Sequence, residues 1–85
     1  MPHYYFDIHD GIHVEDDDGQ SLPDLTSARD EAMRIAASHA IRPTMLGQHG
    51  GAVIVLVRDT SGDVVANVRL VFSIEAGPLR LAAHQ

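Results

Sequence analysis

The sequence predicts an α+β domain of β-β-α-β-β order: a four-stranded, largely antiparallel sheet with one helix packed on one face. Three observations carry this prediction. The chain opens with short alternating apolar segments, "YYFDI" and "IHV", separated by Asp10-Gly11. One later stretch, from about Leu25 to Ile41, carries apolar residues at helical spacing. Two apolar runs, "AVIVLV" and "VVANVRLVFSI", follow it and are joined through "TSG". Alternation with a period of two marks half-buried strands, whereas a period near 3.6 marks an amphipathic helix. A helix returning between two hairpins is suited to covering one face of an antiparallel sheet.

In the first strand Tyr4, Phe6 and Ile8 share one side, with Tyr5 and Asp7 on the other. Side-chain parity sets the length of the first loop. A two-residue turn at Asp10-Gly11 would put Ile12 and Val14 on the face of Asp7 and His9. A three-residue loop of His9, Asp10 and Gly11 unites the apolar set instead, with Ile12 opposite Ile8 and Val14 opposite Phe6. Gly11 then takes the left-handed position, where the absence of a Cβ matters. The stretch "EDDDGQSLPD" reads as turn chemistry punctuated by Gly19 and Pro23.

Asp24, or in second place Thr26, is positioned to cap the helix, and Asp30 and Glu31 lie near its positive end. Leu25, Ala28, Ala32, Ile35, Ala36 and His39 fall on one stripe, and small alanines let a helix approach a sheet closely. The predicted packing sets Leu25, Ala28, Ala32 and Ile35 against Phe6, Ile8, Leu70 and Phe72. Arg42 precedes Pro43, so the helix is predicted to end there. "TMLGQHGG" is read as a glycine-containing connection. In the last strand Val64, Ala66, Val68, Leu70, Phe72 and Ile74 alternate with Val65, Asn67, Arg69, Val71 and Ser73. Val53–Val57 is apolar on both faces, which asks for cover on both. Strand orders 2-1-3-4 and 1-2-4-3 both give antiparallel neighbours. A single domain over residues 1–76 with a flexible tail at 77–85 completes the expectation.

Composition narrows function. The 85 residues contain no cysteine, which removes disulfides, thiolate metal sites and cysteine nucleophiles. No run approaches the ~20 apolar residues of a membrane helix, and "MPHYYFD" lacks the basic start and apolar run of a signal peptide, so a cytoplasmic location without membrane contact is the expectation. The net charge is −6, and the basic residues are arginines scattered singly from Arg29 to Arg80. A surface that tracks phosphates needs clustered positive charge, so direct nucleic-acid binding is disfavoured.

Taken in order, "MPxYYFDIHDG", "DDxGxxLPDLxxARxEA" and "VRDxxGxVxxxVxxxF" resemble a family of short uncharacterised bacterial proteins, a domain of unknown function. The resemblance covers roughly residues 1 to 75. It implies a small α+β domain and assigns no activity or catalytic residue. A weaker likeness is to the antitoxin fold of the HicB type, in which an acidic hairpin leads through a Pro-Asp-Leu segment to a Glu- and Ala-rich helix. This chain lacks the longer intervening segment and the DNA-binding region of those proteins. That likeness implies an antitoxin-like partner of a toxin.

The chemistry-bearing residues are concentrated at the start. On the three-residue-loop register Asp7 faces His13, and a carboxylate beside imidazoles suggests a metal site built from Asp7, His9 and His13, in a small metal-binding protein or metal-dependent enzyme that could also draw on Asp16–Asp18. The plainer reading is a polar cross-strand pair on a solvated face, because such a site needs three or four convergent ligands. An EF-hand is excluded, since Leu25 stands where its final glutamate belongs. Asp16–Asp18 reads as an exposed, self-repelling run. His39 is read as a hydrogen-bonded packing residue. "GQHGG" lacks a Gly-Lys-Ser/Thr ending and precedes a strand, so it is not a phosphate loop. No catalytic set and no cofactor motif emerges. The favoured reading is a non-catalytic protein-interaction module, self-associating as a homodimer through the sheet. Its expected interface is Ile54, Leu56, Val65 and Val71, with a further unknown protein partner possible.

Overall fold

The computed structural model describes residues 1–40, 50–73 and 77. The elements are β1 (His3–His9), β2 (His13–Val14), β3 (Gln20–Ser21), α1 (Leu25–Ala40), β4 (Gly50–Arg58) and β5 (Val64–Ser73). The path through the sheet is β2-β1-β4-β5, the first of the two predicted orders, and every pairing is antiparallel. One strand was not predicted. β3 pairs with the outer edge of β1 near its start, so among the described residues the sheet has five strands, not four. It is only two residues long, too short for any alternation to show. Apart from Gly77, the expected tail at 77–85 lies outside the described residues, as does most of the connection after the helix.

Register fixes the faces. Phe6 pairs with Val57 and Ile8 with Val55, while Val53, Val55 and Val57 pair with Leu70, Val68 and Ala66. This side lies under the helix. Its centre is β4, whose Val53, Val55 and Val57 are almost wholly buried, together with Phe6 and Tyr4 of β1. The helix meets them with Ala28, Ala32 and Ala36, a spacing of four that forms one stripe along the helix. Alanine side chains end at Cβ, so the helix backbone settles close onto the branched valines. Ile35 packs at the margin as predicted, but Leu25 is 39% exposed and Leu70 36%, so neither belongs to the centre of the core.

The helix start follows the sequence. The Asp24 carboxylate accepts the Ser27 N–H at 2.8 Å, and its carbonyl accepts the Ala28 N–H at 3.1 Å. This satisfies amides that a helix otherwise leaves open. Asp30 and Glu31 lie beyond the first turn, and Glu31 has another role. It accepts two hydrogen bonds from Arg34, at 2.8 and 2.6 Å, and one from the Gln20 amide at 2.9 Å, tying β3 to the helix. Arg34 leads in holding the Glu31 carboxyl well down, at about 2.

In the last hairpin Val57 pairs with Ala66 and Arg58 with Val64, so Val65 is the extra residue of a bulge. The intervening turn is closed on Asp59, whose carboxylate accepts the N–H groups of Ser61 and Asp63.

The unequal burial of the two phenylalanines gives a test. Phe6 is 3% exposed, whereas Phe72 is only partly buried. Phe6→Ala should cost about 3–5 kcal/mol, and Phe72→Ala distinctly less. Urea unfolding of both variants checks this, and equal costs would contradict the placement of the core beneath β4.

Candidate functional site

The first loop has three residues, as parity requires, but they are Asp10, Gly11 and Ile12. Ile8 pairs with Val14 and His9 with His13. The predicted register is thus two residues out, which leaves the faces correct and every partner changed. Ile12 lies in the loop, 66% exposed, where no partner strand can cover it. Gly11 adopts φ 98°, as the loop demands. His13 therefore meets His9, and not Asp7 as expected. Their rings lie 4.1 Å apart between centroids, and His13 Nδ1 is 2.7 Å from His9 Nε2 and 3.2 Å from His9 Nδ1.

Asp7 is the largest departure from expectation. It lies on the face away from Phe6, as predicted, but that face is not solvated at this point: Asp7 is 4% exposed. Arg58, 51 residues on and paired with Tyr5, donates from Nε to Asp7 Oδ2 at 2.6 Å and from Nη2 to Oδ1 at 3.1 Å. Its guanidinium carbon also lies 5.1 Å over the Tyr5 ring. The Asp16 N–H completes the Asp7 carboxylate at 3.0 Å. Hydrogen bonding to Arg58 leads in lowering the Asp7 carboxyl below its usual range, outweighing burial, and Asp7 in turn raises Arg58.

Asp16 returns the contact. Its Oδ2 accepts the Phe6 N–H at 3.1 Å, and its Oδ1 accepts Asp18 N–H and Gly19 N–H at 3.0 and 3.1 Å. Burial pushes this carboxyl up, and the amides of Gly19, Phe6 and Asp18 more than offset it. The expectation of an exposed run therefore fails for Asp16, although Asp17 and Asp18 are exposed. Gly19 is held at φ 69°, and a Cβ there would lie 2.6 Å from the His3 ring and 2.7 Å from the Tyr4 carbonyl. His3 donates from Nε2 to the Asp18 carbonyl at 2.8 Å, which leaves Nδ1 to accept the Ser21 hydroxyl at 3.1 Å. His39 donates from Nδ1 to the Ile35 carbonyl, in the packing role predicted for it.

The predicted trio of Asp7, His9 and His13 is not one ligand set. Both Asp7 oxygens are engaged by Arg58 and Asp16, and among the described residues no three His, Cys, Asp or Glu side chains are grouped to hold a metal ion. The predicted interface residues are also separated. Ile54 and Leu56 are half-buried on the face opposite the helix, flooring a shallow hollow walled by His9, Asn67 and Arg69. Val71 pairs with Ala52 on that same face and is 64% exposed. Val65, displaced by the bulge, lines a hollow with Tyr4 and Leu25. Arg58 is the residue missed: a lone arginine ends an otherwise apolar strand and the opening strand holds a lone aspartate, but nothing local pairs the two.

The fold and the hairpin together define a small α+β domain in which one helix covers one face of an antiparallel sheet. Among the described residues, no helix is long and apolar enough to cross a membrane. The chain belongs to the family described as Domain of unknown function (DUF6894), whose model matches residues 3–71. No curated protein and no solved structure matches it.

Substitutions separate the two neighbouring aspartates. Asp16→Ala should cost about 2 kcal/mol, since the Phe6, Asp18 and Gly19 amides lose their acceptor. Asp17→Asn should stay within about 0.5 kcal/mol of the parent. Acid titration adds a second test. Asp7, Asp16 and Glu31 have depressed folded-state pKa values, so each contributes stability above the ordinary carboxylate range and loses it as pH falls through its folded value. The urea midpoint should hold above about pH 5 and fall toward about pH 2, and Asp7→Asn should flatten that fall. A midpoint indifferent to acid would contradict the pairing.

Proposed function

We propose that this chain is a non-catalytic interaction module that self-associates through its sheet, with β5 as the joining edge. The observation that carries this reading is that β5, ten residues long, pairs only with β4 among the described residues. An unpaired strand edge presents a row of backbone donors and acceptors that another strand can complete. β5 carries few of the features that discourage such pairing. Its one charge is Arg69, it contains no proline, and Val64 and Val71 are 54% and 64% exposed. Beside it, Met33 and Ala37 of the helix and Val68 and Leu70 of the strand line an apolar hollow.

The occupant we favour is a second copy. An antiparallel two-fold pairing centred on Val68 matches Val64 through Phe72 of each chain. It sets each Arg69 opposite an Asn67 amide and away from the other Arg69. Both helices then lie on the same side. The face opposite the helix supports association less well, because Ile54 and Leu56 are bordered by the Asp7–Arg58 pair, His9, Asn67 and Arg69. This narrows the predicted interface to its Val71 end.

Sedimentation velocity at micromolar concentration tests the reading. The expected species has twice the 9.2 kDa chain mass. Val71→Glu should shift it toward the monomer, since it replaces an apolar cross-strand pair with Val65 of the second copy by a carboxylate against a valine, while Leu56→Glu should leave the dimer in place. A monomer at every concentration rejects self-association. Dissociation by Leu56→Glu alone would move the interface to the open face.

A further inference from the structure

The lining of the open-face hollow says nothing about what covers it, and the key carboxylate of the acidic loop is engaged by its own backbone. What remains is the histidine pair at the tip of the first hairpin. We infer that His9 and His13 form a two-imidazole site for a borderline divalent transition ion such as Cu²⁺ or Zn²⁺, with solvent completing the coordination.

The backbone brings the two rings together. His9 and His13 are ladder partners, so both side chains stand on the same face, and the three-residue loop fixes them there. Gly11 at φ 98° permits that loop. Two nitrogens bound to one tetrahedral Zn²⁺ at 2.0–2.1 Å lie about 3.3 Å apart. The two Nδ1 atoms are already 3.2 Å apart. In the ion-free arrangement the shorter approach of 2.7 Å is an N–H···N hydrogen bond, which needs a proton on one ring and a lone pair on the other. An ion replaces that shared proton and takes a lone pair from each ring. Little ring movement is required.

The surroundings leave the site accessible and set its ligand count. Both imidazoles are at least partly exposed. Asp7 is on the same face but does not join them, because Arg58 and the Asp16 amide engage its oxygens. Glu15, two residues beyond His13 and on the same side of the chain, has a 63% exposed side chain and comes no closer than 4.0 Å to Arg58. Among the described residues its carboxylate makes only this long ion pair, and it adds negative charge beside the hairpin. Imidazole suits Cu²⁺, Ni²⁺ and Zn²⁺, and Mg²⁺ and Ca²⁺ prefer oxygen, so the site discriminates by ligand type. Bound metal would clip β2 to β1 at the loop. The inference is independent of self-association.

The test uses the full chain, stripped with chelator and titrated calorimetrically with Zn²⁺ and separately with Cu²⁺, while proton spectra follow the histidine ring signals. We expect one equivalent to bind, the His9 and His13 ring signals to move, and His9→Gln and His13→Gln each to weaken binding by about tenfold or more. His3→Gln should bind as the parent does, and Mg²⁺ should give no response. Circular dichroism of each variant confirms the fold, and because both rings sit at an exposed tip it should be unchanged. Binding that survives either hairpin substitution, or the absence of any Zn²⁺ or Cu²⁺ response, overturns the site.

Discussion

Much of the molecule depends on the carboxylate of Asp7. A charge this deeply buried costs several kcal/mol unless its hydrogen-bonding capacity is filled. Three separate segments meet there: β1 supplies the carboxylate, and the Arg58 fork at the end of β4 and the Asp16 amide in the loop after β2 fill it. Arg58 reaches past Asp7 to the Asp16 carbonyl at 3.1 Å, so the loop is held from both of its backbone groups. The pair therefore anchors the far end of the central strand and the entry to the helix-bearing half together.

Asp16 solves a different problem, that of a strand whose outer edge has two short partners with a gap between them. β2 pairs with β1 at Ile8 and His9, and β3 pairs with it at His3 and Tyr4. Between them the Phe6 amide would face a departing loop. The Asp16 carboxylate takes that amide and, with its other oxygen, the two amides that turn the chain back toward β3. A side chain thus stands where a strand carbonyl would otherwise be. Gly19 makes the return possible, because the His3 ring and the Tyr4 carbonyl fill the space a Cβ would need.

Local features of the structure were legible in the sequence and long-range ones were not. Parity gave the correct faces of the first hairpin, because the loop length was right modulo two. It could not separate the pairing of Ile8 with Val14 from that of Ile8 with Ile12, since both keep the apolar set together. The Asp24 cap and the alanine stripe follow from spacing within one helix. The burial of Asp7 depends on a partner 51 residues away, and no local pattern encodes that distance. The core was placed too far toward the leucines. Leu25 and Leu70 are large and apolar, but β4 is the strand flanked by the two long strands β1 and β5 beneath the helix, and burial follows position in the sheet more closely than side-chain size. β3 escaped notice because its pairing is made by backbone and its residues are polar.

The blocked edge of β1 limits how such a chain can assemble. β2, the Asp16 carboxylate and β3 occupy that edge along its length, so among the described residues β5 is the only long strand with an unpaired edge. A subunit with two open edges is a link in a potential fibril. One with a single open edge has a valence of one. When two copies meet edge to edge, each consumes the other's site, and the symmetric pair leaves no strand free for a third. The short, irregular strands of the acidic hairpin thus act as a chain terminator, capping the sheet on the side where growth would otherwise continue.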